Sequence, residues 1–152
     1  MPSIRQILVP VDFSEPSRVA FEYAADMARP LAASVDVIHV WEAPSFVPLG
    51  SALEAGEWNP SLVELVKKNA EKALDEFVSA AAKRGLAVRT SHAEPGSPAL
   101  AIAEAAKAGR YDLIVMGTHG RTGLSRTLIG SVAERVVRHA PCPVLTVRTH
   151  EK

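Results

Sequence analysis

The sequence predicts an α/β protein: a single domain with a doubly wound, five-stranded parallel sheet covered by helices on both faces. Short β-branched apolar runs alternate along the chain with longer segments whose apolar residues recur at helical spacing, in the order β-α-β-α-β-α-β-α-β. The connections are long enough for the right-handed crossovers that parallel neighbours require. A length of 152 residues corresponds to one domain, residues 1–152, and 47% hydrophobic with 22% charged residues excludes a disordered chain.

The elements follow in order. Ile4–Val11 (IRQILVPV) is short, apolar and β-branched, as a buried strand should be. Ser14-Glu15-Pro16 opens the first helix, with Ser14 as cap and Pro16 in the first turn. Val19, Ala20, Tyr23, Ala24 and Met27 form its apolar stripe, and Pro30 should end or kink it. Val35–Trp41 is the second strand. Ala43–Pro60 holds Pro44, Pro48, Pro60 and two glycines, and reads as a long irregular loop. Ser61–Arg84 is a long helix with Leu62, Val66, Ala70, Ala73, Phe77 and Ala81 on one face, stopped by Gly85. Leu86–His92 is the third strand. Ser97-Pro98 opens a third helix through Ala108, closed by Gly109. Asp112–Met116 is the fourth strand, Gly117–Thr127 a glycine-rich loop, Leu128–His139 the fourth helix and Pro143–Val147 the fifth strand.

Charge and composition exclude several classes. The formal net charge is zero, whereas a dedicated nucleic-acid binder usually shows a basic excess. The balance is uneven, with 6 basic and 12 acidic residues in 1–76 but 11 and 5 in 77–152. Either the halves pair with each other, or the second half handles a small anion, with Arg121 and Arg126 in its most glycine-rich stretch. No apolar run is long enough to cross a bilayer, and Met1–Arg5 run into strand-like sequence with no cleavable leader expected. One cysteine, Cys142, makes no internal disulfide, which fits a reducing cytoplasm.

In a doubly wound sheet, ligands bind beyond the carboxyl ends of the strands where the strand order reverses. In the order 3-2-1-4-5 the reversal lies between the first and fourth strands, so Asp12 and Gly117 should converge on one crevice. Gly117-Thr118-His119-Gly120 is followed by nine residues and then Gly130-Ser131. Glycine permits left-handed turns and close approach of backbone to a ligand, and the start of the fourth helix offers free N–H groups and a dipole that favour phosphate. The alternative is a glycine-rich loop that holds no ligand. Neither a P-loop nor the dinucleotide glycine fingerprint after the first strand is present. Asp12 could bond ribose hydroxyls, help hold a metal ion beside phosphates, or simply cap the turn before the first helix.

ILVPVDFS at the start, His39-Val40 closing the second strand, the G-x-x-G-x9-G-S run and the closing Ala140-Pro141-Cys142-Pro143-Val144-Leu145 together resemble the universal stress protein family, in its ATP-binding branch, over essentially the whole chain. The resemblance implies a sheet of the adenine nucleotide alpha hydrolase-like kind, bound ATP, ADP or AMP, and a homodimer joined through the last strand, Pro143–Val147. It further implies that Pro10 and Val11 line the base pocket, that the Val40 backbone reads the adenine edge and that Asp12 faces ribose and phosphates, where Mg could also sit. Met116, Gly117, His119, Gly120, Arg121, Gly130, Ser131 and Val132 would surround ribose and phosphates.

Other readings of single residues are plainer. The five histidines lack metal-ligand spacing, so no structural metal site is expected. His119 could donate to a phosphate or pack against its loop, and His139 suits a helix C-terminus. Cys142 sits between two prolines with nothing placed to activate it, and Ser14 has no paired base, so it reads as a cap. The expected function is that of an adenine-nucleotide-binding stress-response regulator. A slow ATP-hydrolysing or phosphoryl-transferring enzyme and a dimeric module without nucleotide are the alternatives.

Overall fold

The computed structural model describes residues 2–43, 60–119 and 129–149. Its elements are β1 (Gln6–Pro10), α1 (Glu15–Leu31), β2 (Ser34–Trp41), α2 (Pro60–Lys83), β3 (Thr90–Pro95), α3 (Pro98–Ala108), β4 (Leu113–Gly117), α4 (Ser131–His139) and β5 (Val144–Val147). The strands are all parallel and lie in the order β3-β2-β1-β4-β5, as predicted. Alternation along the central strands builds two cores. Ile7, Val9, Val35, Val37, Leu113 and Val115 face one side, against Ala20, Phe21, Ala24 and Ala28 of α1 and Leu74, Phe77 and Ala81 of α2. Leu8, Ile38, Ile114 and Met116 face the other, against Ala99, Ile102 and Ala106 of α3 and Ala133 and Val136 of α4.

Helix ends follow from local chemistry, with two departures. Ser14 caps α1 through its side chain, and the helix closes at Leu31, one residue past Pro30, with Ala32 left-handed at φ 50°. Gly85 after α2 is left-handed at φ 75°, where an L-residue would be strained. Ser97 occupies the cap position of α3 but makes no capping hydrogen bond, so Pro98, with its fixed φ and missing N–H, carries the start. Gly109 ends α3 in right-handed conformation; a Cβ there would stand 2.3 Å from the Tyr111 ring.

Other boundaries also move. β3 begins at Thr90, not Leu86, and runs on to Pro95. Leu86 and Val88 pack against the core as the chain approaches the sheet, but strand pairing starts only at Asp36↔Thr90. α4 begins at Ser131, and Leu128 lies outside the described residues. The loop predicted over Ala43–Pro60 falls outside them as well, save for its two end residues.

A buried polar cluster lies where β3 begins. Asp36 is fully buried on β2, and its carboxylate accepts hydrogen bonds from Arg89 Nε at 3.0 Å, Thr90 N–H at 3.1 Å and the Tyr111 hydroxyl at 2.6 Å, with a second Arg89 nitrogen also bonded. Burial alone would raise the Asp36 pKa; the bonds from Arg89 and Tyr111 and the Arg89 charge outweigh it and hold it below the usual carboxylate value. Burial, then the bond to Asp36, pushes Tyr111 up to about 12. Asp112 adds bonds to the Arg5 and Gln6 N–H groups at 2.8 and 3.0 Å. Together these groups fasten the amino end of the sheet, opposite the carboxyl end where the crevice is expected.

Candidate functional site

At the carboxyl end the sheet divides. The β1–β4 pairing stops at Leu8↔Ile114, whereas β1 stays with β2 as far as Pro10↔Ile38, and Val11 N–H bonds the Ile38 carbonyl at 2.8 Å. β4 likewise stays with β5 to Gly117↔Val147, extended by the Thr118 N–H bond to the Val147 carbonyl at 3.1 Å. The strands therefore part at the reversal of strand order, between the segment after β1 and the segment after β4, where a doubly wound sheet is expected to hold its ligand crevice.

The first wall is the turn Val11–Ser14. Asp12 Oδ1 accepts the Ser14 N–H at 3.0 Å and also the Ser14 hydroxyl, so its carboxylate is oriented by the start of α1. The turn-capping role is thus realised, with the carboxylate held at the crevice end of β1. Pro10 and Val11 are buried beneath it. His39 Nδ1 donates to the Val11 carbonyl at 2.8 Å, and since a carbonyl only accepts, Nδ1 carries the proton. Val40, next along β2, packs on the opposite face against the α3–α4 core.

The second wall is Met116–His119 with the start of α4. Met116 is buried on β4. A Cβ on Gly117 would lie 3.0 Å from backbone atoms of Pro16, and one on Gly130 would lie 2.8 Å from the Thr118 carbonyl oxygen. That carbonyl also accepts the Gly130 N–H at 2.6 Å. Gly130 has φ −61°, and Gly117 is not among the glycines with positive φ. These two glycines are therefore required by chain meeting chain, not by left-handed turns. A side chain at Gly130 would strike the Thr118 carbonyl, and one at Gly117 would press on the Pro16 backbone.

Gly130 also stands at the cap of α4 without a side-chain capping bond. The N–H groups of the first turn, from Ser131 onward, lack partners inside the helix, as at any helix start. Ser131 and Val132 are exposed. His119 Cα comes within 3.4 Å of the Gly130 Cβ position, so the histidine and the helix start are neighbours. Its Nδ1 pairs with the Thr118 hydroxyl at 3.0 Å, while its Nε2 is buried with no hydrogen-bond partner among the described residues. A buried polar nitrogen left unpaired costs roughly 1–3 kcal/mol, so this one is suited to a polar ligand group. Gly120 and Arg121, and with them Arg126, lie outside the described residues.

Away from the crevice, Cys142 is half-buried, and burial, then the Asp112 charge, raises its pKa, as suits an inert thiol. Among the described residues no group of three metal-ligating side chains forms. Of the residues named from sequence, Pro10, Val11, Asp12, Met116, Gly117, His119, Gly130, Ser131 and Val132 lie along these two segments, while the bond from His39 to the Val11 carbonyl was not foreseen. His39 could have been suspected, as a polar ring at the crevice end of an apolar strand.

A parallel sheet divided between its first and fourth strands, with a helix start on one side and a carboxylate turn on the other, defines a doubly wound α/β protein, a fold that binds ligands at this topological switch point. The comparisons make this specific. The model of the universal stress protein family matches residues 3–148, and the chain belongs to that family. It is 40% identical to a universal stress protein of Methanocaldococcus jannaschii over 97% of this chain and 84% of that one. Among solved structures, the universal stress protein UspA from Lactobacillus plantarum superposes with a TM-score of 0.76 at 30% identity, covering 97% of this chain and 100% of the other. A universal stress protein in complex with cAMP superposes with a TM-score of 0.71 at 22% identity, covering 98% and 100%.

Proposed function

We propose that the crevice binds an adenine nucleotide, ATP, ADP or AMP, and that the protein is a cytoplasmic stress-response regulator whose state follows that nucleotide. The observation that carries this reading is His119 Nε2, buried with no hydrogen-bond partner among the described residues, beside the start of α4, whose cap residue is a glycine. A phosphate there would take the first-turn N–H groups and the helix dipole, and would supply the missing partner for His119. The adenine base is suggested by the cAMP bound to the structural relative.

In this reading Pro10 and Val11 line the base pocket and the Val40 backbone meets the adenine edge. Asp12 faces the ribose, and Met116, Gly117, His119, Gly120, Arg121, Gly130, Ser131 and Val132 surround ribose and phosphates. Any Mg would take most of its ligands from phosphate and water, with Asp12 as its carboxylate, since Mg favours that mixture. Heat-denaturing the purified protein and identifying the released small molecule by chromatography and mass tests the reading: an adenine nucleotide is expected, and its absence after incubation with ATP contradicts it.

Turnover should be slow. Phosphoryl transfer needs a positioned nucleophile together with charge stabilisation. The crevice carboxylate, Asp12, is already engaged with Ser14. ATP hydrolysis is expected below about 1 per second, under the range of ordinary enzymes, in a phosphate-release assay.

The same reading includes a homodimer through β5, which lies at the sheet edge beside β4. Ile114 N–H bonds the Pro143 carbonyl and Thr118 N–H bonds the Val147 carbonyl, so odd-numbered residues of this strand face β4. By alternation Val144 and Thr146 turn their N–H and C=O groups outward. Thr146→Pro therefore removes an edge donor while sparing the β4 ladder, which Leu145→Pro would not. Light scattering should show the unmodified protein as a dimer and Thr146→Pro as a monomer; a monomeric unmodified protein rules the interface out.

A further inference from the structure

Phe13, between Asp12 and Ser14, has φ 65°. A bulky L-residue in the left-handed region is a genuine outlier, and such strain persists only where surrounding structure over-determines it. Here the surroundings are specific. The Phe13 ring lies 4.4 Å from the His39 ring, centroid to centroid, and 6.0 Å from Phe77, which meets Phe21 edge-on at 5.2 Å. His39 also holds the Val11 carbonyl, two residues before Phe13. The histidine thus grips the turn twice, once through the backbone and once through the aromatic face. On the other side of the outlier, Ser14 holds the Asp12 carboxylate.

We infer that Phe13 is a positioning residue: its ring, seated against His39 and Phe77, holds a left-handed backbone that sets Asp12 at the crevice and so raises affinity for the nucleotide. This rests on the nucleotide reading of the crevice. With the ring removed, an L-residue relaxes out of the left-handed region and swings Asp12 away, whereas glycine occupies that region without penalty.

The test compares Phe13→Ala with Phe13→Gly by titrating ATP, with the unmodified protein alongside. Both variants lose the same aromatic packing. Alanine is expected to bind ATP roughly 5–30-fold more weakly than glycine, the left-handed penalty expressed as an equilibrium ratio. Equal affinities, within about twofold, would show a merely structural ring and overturn the inference while leaving the nucleotide reading in place. No ATP binding by the unmodified protein would overturn both. Should Phe13→Ala fail to fold, Phe13→Gln and Phe13→Asn carry the same contrast, because both are polar amides and asparagine tolerates the left-handed region better than glutamine. Asparagine should then bind more tightly, and equal or reversed affinities count against positioning.

Discussion

Replacing Asp36 with alanine is expected to destabilise the fold by about 2–4 kcal/mol and leave ATP affinity within about twofold of the unmodified protein. The carboxylate is 1% exposed, and its removal orphans the Tyr111 hydroxyl and the Thr90 N–H. Breaking a buried pair usually costs somewhat more, but the Arg89 side chain is 46% exposed and water takes over part of its solvation. Urea unfolding measures the loss, and calorimetry of ATP on the folded protein checks that the crevice is untouched.

The same cluster sets the pH limits. The folded pKa of Asp36 is depressed, so its stabilisation is present above the unfolded value, about 3.9, and is lost as pH falls through the folded one. The Tyr111 pKa is raised to about 12, so its contribution is present below the unfolded value, about 10, and is lost as pH rises from there to the folded value. Unfolding free energy measured from pH 9 to 12 should therefore fall more steeply in the unmodified protein than in Tyr111→Phe. Parallel curves would show that Tyr111 does not titrate with folding.

The second large effect concerns function alone. Ser131→Glu places a carboxylate in the first turn of α4, where Ser131 is exposed and the cap residue, Gly130, has no side chain to cap the helix. A negative group there suits the helix dipole, so stability should stay level or rise by a few tenths of a kcal/mol. A bound phosphate would meet that charge at close range. Like charges roughly 5–6 Å apart near a surface repel by about 1.5–3 kcal/mol, so ATP affinity should fall at least about tenfold. Unchanged affinity would remove the helix start from the binding site. This substitution separates binding from folding, which valine at Gly130 cannot do with the Thr118 carbonyl 2.8 Å from its Cβ.

The sheet order was legible because buried strands carry their own signature: Ile7–Pro10 and Leu113–Met116 are apolar runs, and Val35–Ile38 is apolar but for Asp36, each bounded by turn or loop residues. β3 was misplaced because, as an edge strand with most of its residues exposed, it has no apolar alternation to read; the apolar residues before it, Leu86 and Val88, only lead in. The Asp36 cluster left no trace in sequence, because one aspartate in a strand looks like ordinary alternation until Arg89 and Tyr111 converge on it. At the crevice, Gly117 and Gly130 were visible as glycines, but the reason was not: Pro16 and Thr118 approach them from distant positions in the chain. Phe13 was the least legible residue, since phenylalanine is among the last residues expected at positive φ, and only tertiary packing on His39 and Phe77 accounts for it.

The most direct test of the nucleotide crevice is a crystal structure of the protein grown with ATP. The expected density places phosphate oxygens within hydrogen-bond reach of the first-turn N–H groups of α4 and of His119 Nε2, with the ribose beside Asp12. Nucleotide bound elsewhere on the molecule, or bound with its phosphates turned away from α4, would contradict the proposed site.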